Sequence, residues 1–308
     1  MKSIVIIMPF FGKLPSQYKM WRASALRNPS VDFMFFTDAE VEPAENIIVN
    51  RMPFDDFQKK VKQVFDFPVI LDRPYKLCEY KQAYGYILQE YICKYDFWGF
   101  GDIDLVYGDI RAFLTDEVLQ YKFILGWGHL TLLHNDSDTN TYFMKHVDGY
   151  QDYKEAFSTS RITFFDEFDH KGCSDKWRDQ RPQDSWLHDP YDNASKPKQA
   201  YHFNSLNHQD WKQVVFEHVD NKLYVVRISD GKVERRETLY AHFQHRPFMK
   251  DKVRDYSHFL VTPSSVIDYP QHFSWLWLRF YCRRRNVTTK LYQWKDRILW
   301  KLHLNRYR

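Results

Sequence analysis

The stretch Phe97–Ile110, FWGFGDIDLVYGDI, decides how this chain is read. Phe97–Phe100 is short, apolar and aromatic, as expected of a strand covered on both faces. It runs directly into Asp102-Ile103-Asp104. In an extended segment the side chains of residues i and i+2 point the same way, so the two carboxylates share a face at the strand's end. Like charges so placed repel unless a cation sits between them, and oxygen ligands suit Mg²⁺ or Mn²⁺. The competing reading of a bare Asp-x-Asp is a solvated loop with two incidental acids. Ligands bind at the carboxyl edge of open α/β sheets, so the sheet around this strand decides between the two.

Working outward, Ser3–Met8 is a continuous apolar run and reads as a buried parallel strand, followed by the loop Pro9-Phe10-Phe11-Gly12. A helix is predicted over Gln17–Arg27, ending at Asn28-Pro29. Val31–Thr37, closed by Asp38, is a second strand and Asn46–Asn50 a third. Asp55–Phe65 places Phe57, Val61, Val64 and Phe65 on one helical face. Tyr75–Tyr95 shows the longest helical pattern, and it leads into the Asp-x-Asp strand. Phe123–Gly126 and Leu130–Leu133 are further strand candidates, and residues 135–200 read as irregular. Lys222–Ile228, the turn Asp230-Gly231 and Lys232–Leu239 form a hairpin pattern, and Tyr240–Phe248 follows. Strands alternating with helices predict an α/β fold.

Composition bounds the function class. Across 308 residues, 44% are apolar and 18% aromatic, enough for a large core and against disorder. Cys78, Cys93, Cys173 and Cys282 form no CxxC pair, which argues against a disulfide frame or structural zinc and fits a reducing compartment. The apolar run before Pro9 is too short for a signal peptide, and no stretch reaches transmembrane length, so a soluble or peripheral protein is expected. From Phe273 to Arg308 there are ten Lys/Arg against one acid, Asp296, whereas the rest of the chain is net acidic. With Trp275, Trp277, Phe280, Trp294 and Trp300, this segment has the composition of a helix lying in a lipid interface. The competing readings are a nucleic-acid strand as partner and a packed terminal helix pair.

The layout of Ile4–Gly12, Asp38, a long helix and GFGDIDLVYGDI resembles bacterial glycosyltransferases of the GT-A fold. More narrowly it is similar to capsule, lipopolysaccharide and exopolysaccharide transferases with a K-x-C-[DE]-x-K segment ahead of the Asp-x-Asp. Here that segment is Lys76-Leu77-Cys78-Glu79-Tyr80-Lys81, with Glu79 where Asp is expected and Gln82 where Pro is usual. The resemblance covers residues 1–250. It implies a Rossmann-like, mostly parallel sheet flanked by helices in a catalytic domain over 1–262; the composition of the tail adds a basic, aromatic helical appendage over 263–308.

The resemblance further implies a nucleotide-sugar donor, a uridine diphosphate sugar first among them, and a glycan or lipid-linked glycan acceptor. Asp102 and Asp104 would hold Mn²⁺ or Mg²⁺ with His242 as a further ligand, His245 being its rival. Pro9, Phe10, Phe11 and Gly12 would pass the base and ribose. Asp38 would bond the base, Lys76 the ribose or phosphates, and Arg246 the diphosphate, with Asp102 and Ile103 beside the nucleotide. Asp38 reads equally as a turn cap, and Lys81 as a surface or ion-paired lysine. Asp166 and Glu167 resemble an acidic pair that recurs in such transferases, and either is a candidate general base, with Asp184 in reserve. Trp127 would stack on a sugar or cap the core. The expected location is cytoplasmic, peripheral at the inner face of the membrane through the tail, with no nucleic-acid partner. The competing classes are a metal-dependent phosphohydrolase or nuclease using the same two aspartates, and a non-catalytic membrane scaffold with a sugar-nucleotide fold.

Overall fold

The architecture comes from a computed structural model that describes residues 1–194, 203–207, 210–244, 250–263, 265–274 and 276–278, together with 294, 295 and 298. The chain is mixed α/β and divides into two compact units. The first comprises Met1–Leu14, Asn28–Ile103 and Arg111–His188; the second comprises Pro15–Arg27, Asp104–Ile110 and Asp189–Arg308. The boundary at the centre of the chain falls inside the Asp-x-Asp, between Ile103 and Asp104.

In the first unit β1 (Ile4–Pro9) lies between β2 (Val31–Thr37) and β4 (Phe97–Gly101), with β3 (Ile47–Arg51) beyond β2, and all these pairings are parallel. The apolar runs of β1, β2 and β4 are buried on both faces, as interior parallel strands require, whereas the edge strand β3 buries only Ile47. The chain then passes through β5 (Leu105–Tyr107), which belongs to the second unit, and returns as the antiparallel pair β6 (Phe123–Trp127) and β7 (Leu130–His134). β7 runs antiparallel beside β4, and β8 (Ser185–Trp186) closes the edge against β6, giving the order β3-β2-β1-β4-β7-β6-β8. The parallel half of the sheet matches expectation; β7 alone reverses direction, and β6 and β8 run the same way as β1, β2 and β4. The helix Phe54–Gln63 buries Phe57 and Val61 in the core, with Pro53 just before its first turn and Asp55 and Asp56 within it.

The expected long helix over Tyr75–Tyr95 is replaced by a 3₁₀ helix, Pro74–Ala83, and two short α turns, Tyr84–Ile87 and Gln89–Ile92. The physical reason lies in the spacing of its buried residues. At three residues per turn, Lys76, Glu79 and Gln82 form one row and Leu77, Tyr80 and Ala83 another, and all six are buried. Tyr75, Cys78 and Lys81 form the third row. A 3.6-residue period would carry the polar row off its partners. Residues 135–188, expected to be irregular, contain short helices at Ser137–Thr141, Tyr153–Phe157 and Cys173–Gln180.

The second unit contains the helix Tyr18–Leu26, whose Ser24 hydroxyl accepts the Tyr107 N–H of β5 at 3.0 Å. β5 pairs antiparallel with β14 (Tyr240–His242), and β14 pairs parallel with β9 (Asp192–Asn193). A larger sheet is built from β11 (Lys212–Val219), β12 (Lys222–Ser229), β13 (Lys232–Thr238), β15 (Lys250–Lys252), β16 (His258–Thr262) and β17 (Ser265–Asp268), with β10 (Phe203–Asn204) against β11. The β12-β13 hairpin turns at Asp230-Gly231 with both residues at positive φ, as the sequence predicted. Cys78, Cys93 and Cys173 are free thiols. Among the described residues no helix is long and apolar enough to cross a membrane. Most of the basic tail lies outside the described residues.

Candidate functional site

Asp102-Ile103-Asp104 forms a turn between β4 and β5 rather than the extended continuation the sequence suggested. On the first unit's side, the Asp102 N–H donates to the His129 carbonyl at 3.0 Å, carrying the β4-β7 ladder one residue past its end. Its Oδ1 accepts from Lys81 Nζ at 2.8 Å. The same ammonium donates to the Gly128 carbonyl at 2.6 Å and lies 3.7 Å from Asp166 Oδ2. Burial works against the Lys81 charge, but Asp102 and Asp166 outweigh it and hold the ammonium well above its ordinary range.

Asp166 is buried, and that burial pushes its carboxyl up, with Lys81 pulling the other way. Asp166 and Glu167 both crowd Gly128: a Cβ there would stand 2.8 Å from Glu167 Cδ and 2.9 Å from Asp166 Oδ2. A side chain there would have to displace the two carboxylates. Lys81, Asp102, Asp166 and Glu167 therefore form one cluster, and a buried carboxyl with a raised pKa is the type of group that takes or gives a proton near neutral pH. Trp127 stacks on His129 with ring centroids 6.0 Å apart and meets Phe168 edge-on at 5.0 Å, which fits its core-capping alternative.

The other predicted residues of the first unit are placed as follows. The Gly12 N–H, at φ +98°, donates to Asp38 Oδ1 at 2.7 Å, and Phe10 N–H donates to the Phe36 carbonyl at 3.0 Å. Pro9–Gly12 and Asp38 are thus tied together at the carboxyl ends of β1 and β2. Phe11 turns inward against Phe54 and Phe57. Lys76, expected to reach a nucleotide, is fully buried: its ammonium donates to the carbonyls of Ala156 at 3.0 Å and Arg161 at 2.6 Å, and lies 3.6 Å from Glu79. Asp184 stands apart from the cluster. Its carbonyl accepts the Lys122 N–H at the start of β6, whereas Gly128 lies beyond that strand's far end, roughly 15–20 Å away at ~3.3 Å per residue.

On the second unit's side, Asp104 precedes β5 and His242 ends β14. The Phe243 N–H donates to the Asp104 carbonyl at 3.0 Å, locking the two backbones together. His242 is 5% exposed at its side chain and Asp104 23%, with His242 Nε2 3.5 Å from Asp104 Oδ1. Asn193 Oδ1 lies 2.8 Å from His242 Nδ1. An amide oxygen can only accept, so Nδ1 carries the proton and Nε2, turned to Asp104, is the nitrogen that could coordinate a cation. This is how metal-binding histidines are commonly oriented by a neighbouring acceptor. A carboxylate with an imidazole nitrogen fits Mn²⁺ better than Mg²⁺, which prefers oxygen alone. Arg246, and with it His245, Pro247 and Phe248, lies outside the described residues.

Residues 6–270 match a family described as a family of unknown function, DUF6625. The chain belongs to that family. No curated protein matches it in sequence. Among solved structures it is similar to mouse xyloside xylosyltransferase 1 in its apo form, at 10% identity and a TM-score of 0.38, over 65% of this chain and 90% of that one. A likeness that distant leaves the functional reading to this chain's own chemistry.

Three residues of this DUF6625 chain gain roles that the sequence alone did not assign. Lys81 links Asp102 to Asp166. Asn193 orients His242. Glu79 accepts the N–H groups of Thr163 at 3.0 Å and Phe164 at 2.9 Å, and also the Thr163 hydroxyl. The three-residue spacing of positions 76, 79 and 82 was the available signal for Glu79. Nothing local points to Asn193.

Proposed function

We propose that this protein is a metal-dependent glycosyltransferase of the GT-A type, moving a sugar from a nucleoside-diphosphate donor to a glycan acceptor. The observation that carries the reading is His242 Nε2 facing the Asp104 carboxylate, with Asp102 two residues upstream on the same backbone. Asp102, Asp104 and His242 would hold Mn²⁺ or Mg²⁺. A divalent cation there supplies positive charge to a departing diphosphate.

The chain's own residues do the rest in this reading. The Pro9–Gly12 loop and Asp38, tied at the carboxyl edge of parallel strands, receive the nucleoside. Lys81 fixes the Asp102 carboxylate and balances its charge against Asp166. Asp166, 3.7 Å from that lysine, and the adjoining Glu167 serve the acceptor hydroxyl or the transferred sugar. Arg246 is assigned to the diphosphate, where a planar guanidinium suits paired phosphate oxygens. The acceptor is a glycan, lipid-linked in surface polysaccharide assembly, and the tail from Phe273 holds the enzyme to anionic lipid at the cytoplasmic face of the membrane.

The test is the bond that breaks. Incubation with uridine, guanosine and thymidine diphosphate sugars and Mn²⁺ should release nucleoside diphosphate, faster when a glycan acceptor is added, and chelation should stop it. Release of nucleoside monophosphate and sugar phosphate would instead identify a phosphohydrolase. No turnover of any donor would leave the scaffold reading.

A further inference from the structure

We propose that Phe164, backed by His170, is a platform on which a pyranose ring of the acceptor stacks beside Asp166 and Glu167. This rests on the transferase reading and names one of its subsites. Phe164 is 43% exposed, although a large aromatic side chain gains most from burial. Its φ is +61°, in the left-handed region that bulky residues rarely enter. A solvent-facing turn position with that backbone suits glycine, yet the chain places a phenyl ring there.

The surroundings hold it in place. Glu79 accepts the Phe164 N–H at 2.9 Å and the Thr163 N–H at 3.0 Å, and its side chain is fully buried beside the equally buried Lys76. The Glu167 N–H donates to the Phe164 carbonyl at 3.1 Å, so Phe164, Asp166 and Glu167 belong to a single turn. His170 stacks on the phenyl ring with centroids 4.6 Å apart and planes 24° from parallel. The His170 backbone is anchored in turn: Asp175, also buried, accepts the N–H groups of Asp169, His170 and Lys171 at 3.1, 3.0 and 2.7 Å. Two buried carboxylates thus fix the two rings of one small aromatic stack.

The chemistry selects the occupant. The electron-rich face of an aromatic ring attracts the C–H groups on the flat face of a pyranose. Carboxylates in the same turn accept hydrogen bonds from hydroxyls at the sugar's edge. The same carboxylates repel phosphates, which favours an uncharged sugar over a nucleotide.

The probes are methyl β-D-galactopyranoside, methyl α-D-glucopyranoside and methyl α-D-mannopyranoside, with uridine as the nucleoside control and the full chain as wild type, Phe164→Ala and Phe164→Tyr, observed by saturation-transfer NMR. At least one probe should take up saturation on its ring protons from the wild type. That affinity should fall about tenfold in Phe164→Ala, the size of an aromatic stacking contribution, and be kept in Phe164→Tyr. The proposal is overturned by no transfer to any probe from the wild type, by equal transfer from Phe164→Ala, or by a Phe164-dependent signal for uridine alone. Donor turnover by the wild type is read in parallel. Turnover without a Phe164-dependent sugar signal sinks the platform alone; the sugar signal without turnover sinks the transferase reading alone.

Discussion

Asp104 and His242 face each other from neighbouring antiparallel segments, with His242 Nε2 3.5 Å from Asp104 Oδ1 and the Phe243 N–H bonded to the Asp104 carbonyl. The ladder between β5 and β14 fixes this pairing, so the carboxylate and the imidazole are brought together by backbone geometry rather than by chance surface rotamers. Asn193, on the parallel neighbour β9, sets the imidazole tautomer. β9 and β14, with the residue that precedes β5, thus bring together the carboxylate and imidazole of the proposed cation ligands.

The Asn193 contact makes the first prediction. Asn193→Leu removes the acceptor for His242 Nδ1–H and should weaken Mn²⁺ binding by roughly 10–100-fold, the usual cost of losing an orienting partner. Asn193→Asp should keep most of the affinity. Titration of Mn²⁺ followed by electron paramagnetic resonance reads both, and unchanged affinity in Asn193→Leu would remove Asn193 from the site.

A second prediction concerns the fully buried pair Lys76 and Glu79. Lys76→Met strands the Glu79 carboxylate without its counter-ion and leaves the carbonyls of Ala156 and Arg161 without a donor. Urea unfolding should show a loss of about 3–5 kcal/mol. The double change Lys76→Met with Glu79→Gln should recover part of it, because no uncompensated charge is then buried. A loss no larger than that of a surface lysine would contradict this role.

The acid side of the stability curve should depend on His218. It is fully buried, and burial, with Arg27 adding repulsion, lowers its pKa to about 4, with His258 a lesser contributor. Above the unfolded value of about 6.5 the ring is neutral in both states and adds no pH dependence. Below it the unfolded chain binds the proton first, so stability falls as pH drops from about 6.5 to about 4, by about 3 kcal/mol in all. His218→Leu should flatten that part of the curve. Parallel pH dependences for wild type and variant would refute the assignment.

What the sequence made legible follows from which interactions are local. β1 and β2 were readable because strands buried on both faces are written as unbroken apolar runs, IVIIMP and VDFMFFT. The β12-β13 hairpin was readable from Asp230-Gly231. The segment from Pro74 was misread as a long α-helix because its aromatic residues also satisfy a 3.6-residue period, while its buried polar row of Lys76, Glu79 and Gln82 obeys a period of three. In the candidate site, Asp102 and Asp104 stand out because only Ile103 separates them in sequence. The Lys81–Asp166 contact does not, because it depends on the 3₁₀ row that turns Lys81 toward a turn from a distant part of the chain. Lys76 carried a family expectation that its burial replaces with a structural role.

The proposed divalent cation at Asp104 and His242 with Asp102 is tested by direct Mn²⁺ titration of the full chain at neutral pH. The wild type should bind one Mn²⁺, and Asp104→Asn and His242→Ala should each weaken that binding at least about tenfold while unfolding as cooperatively as the wild type. Wild-type binding no tighter than that of either variant would contradict the account.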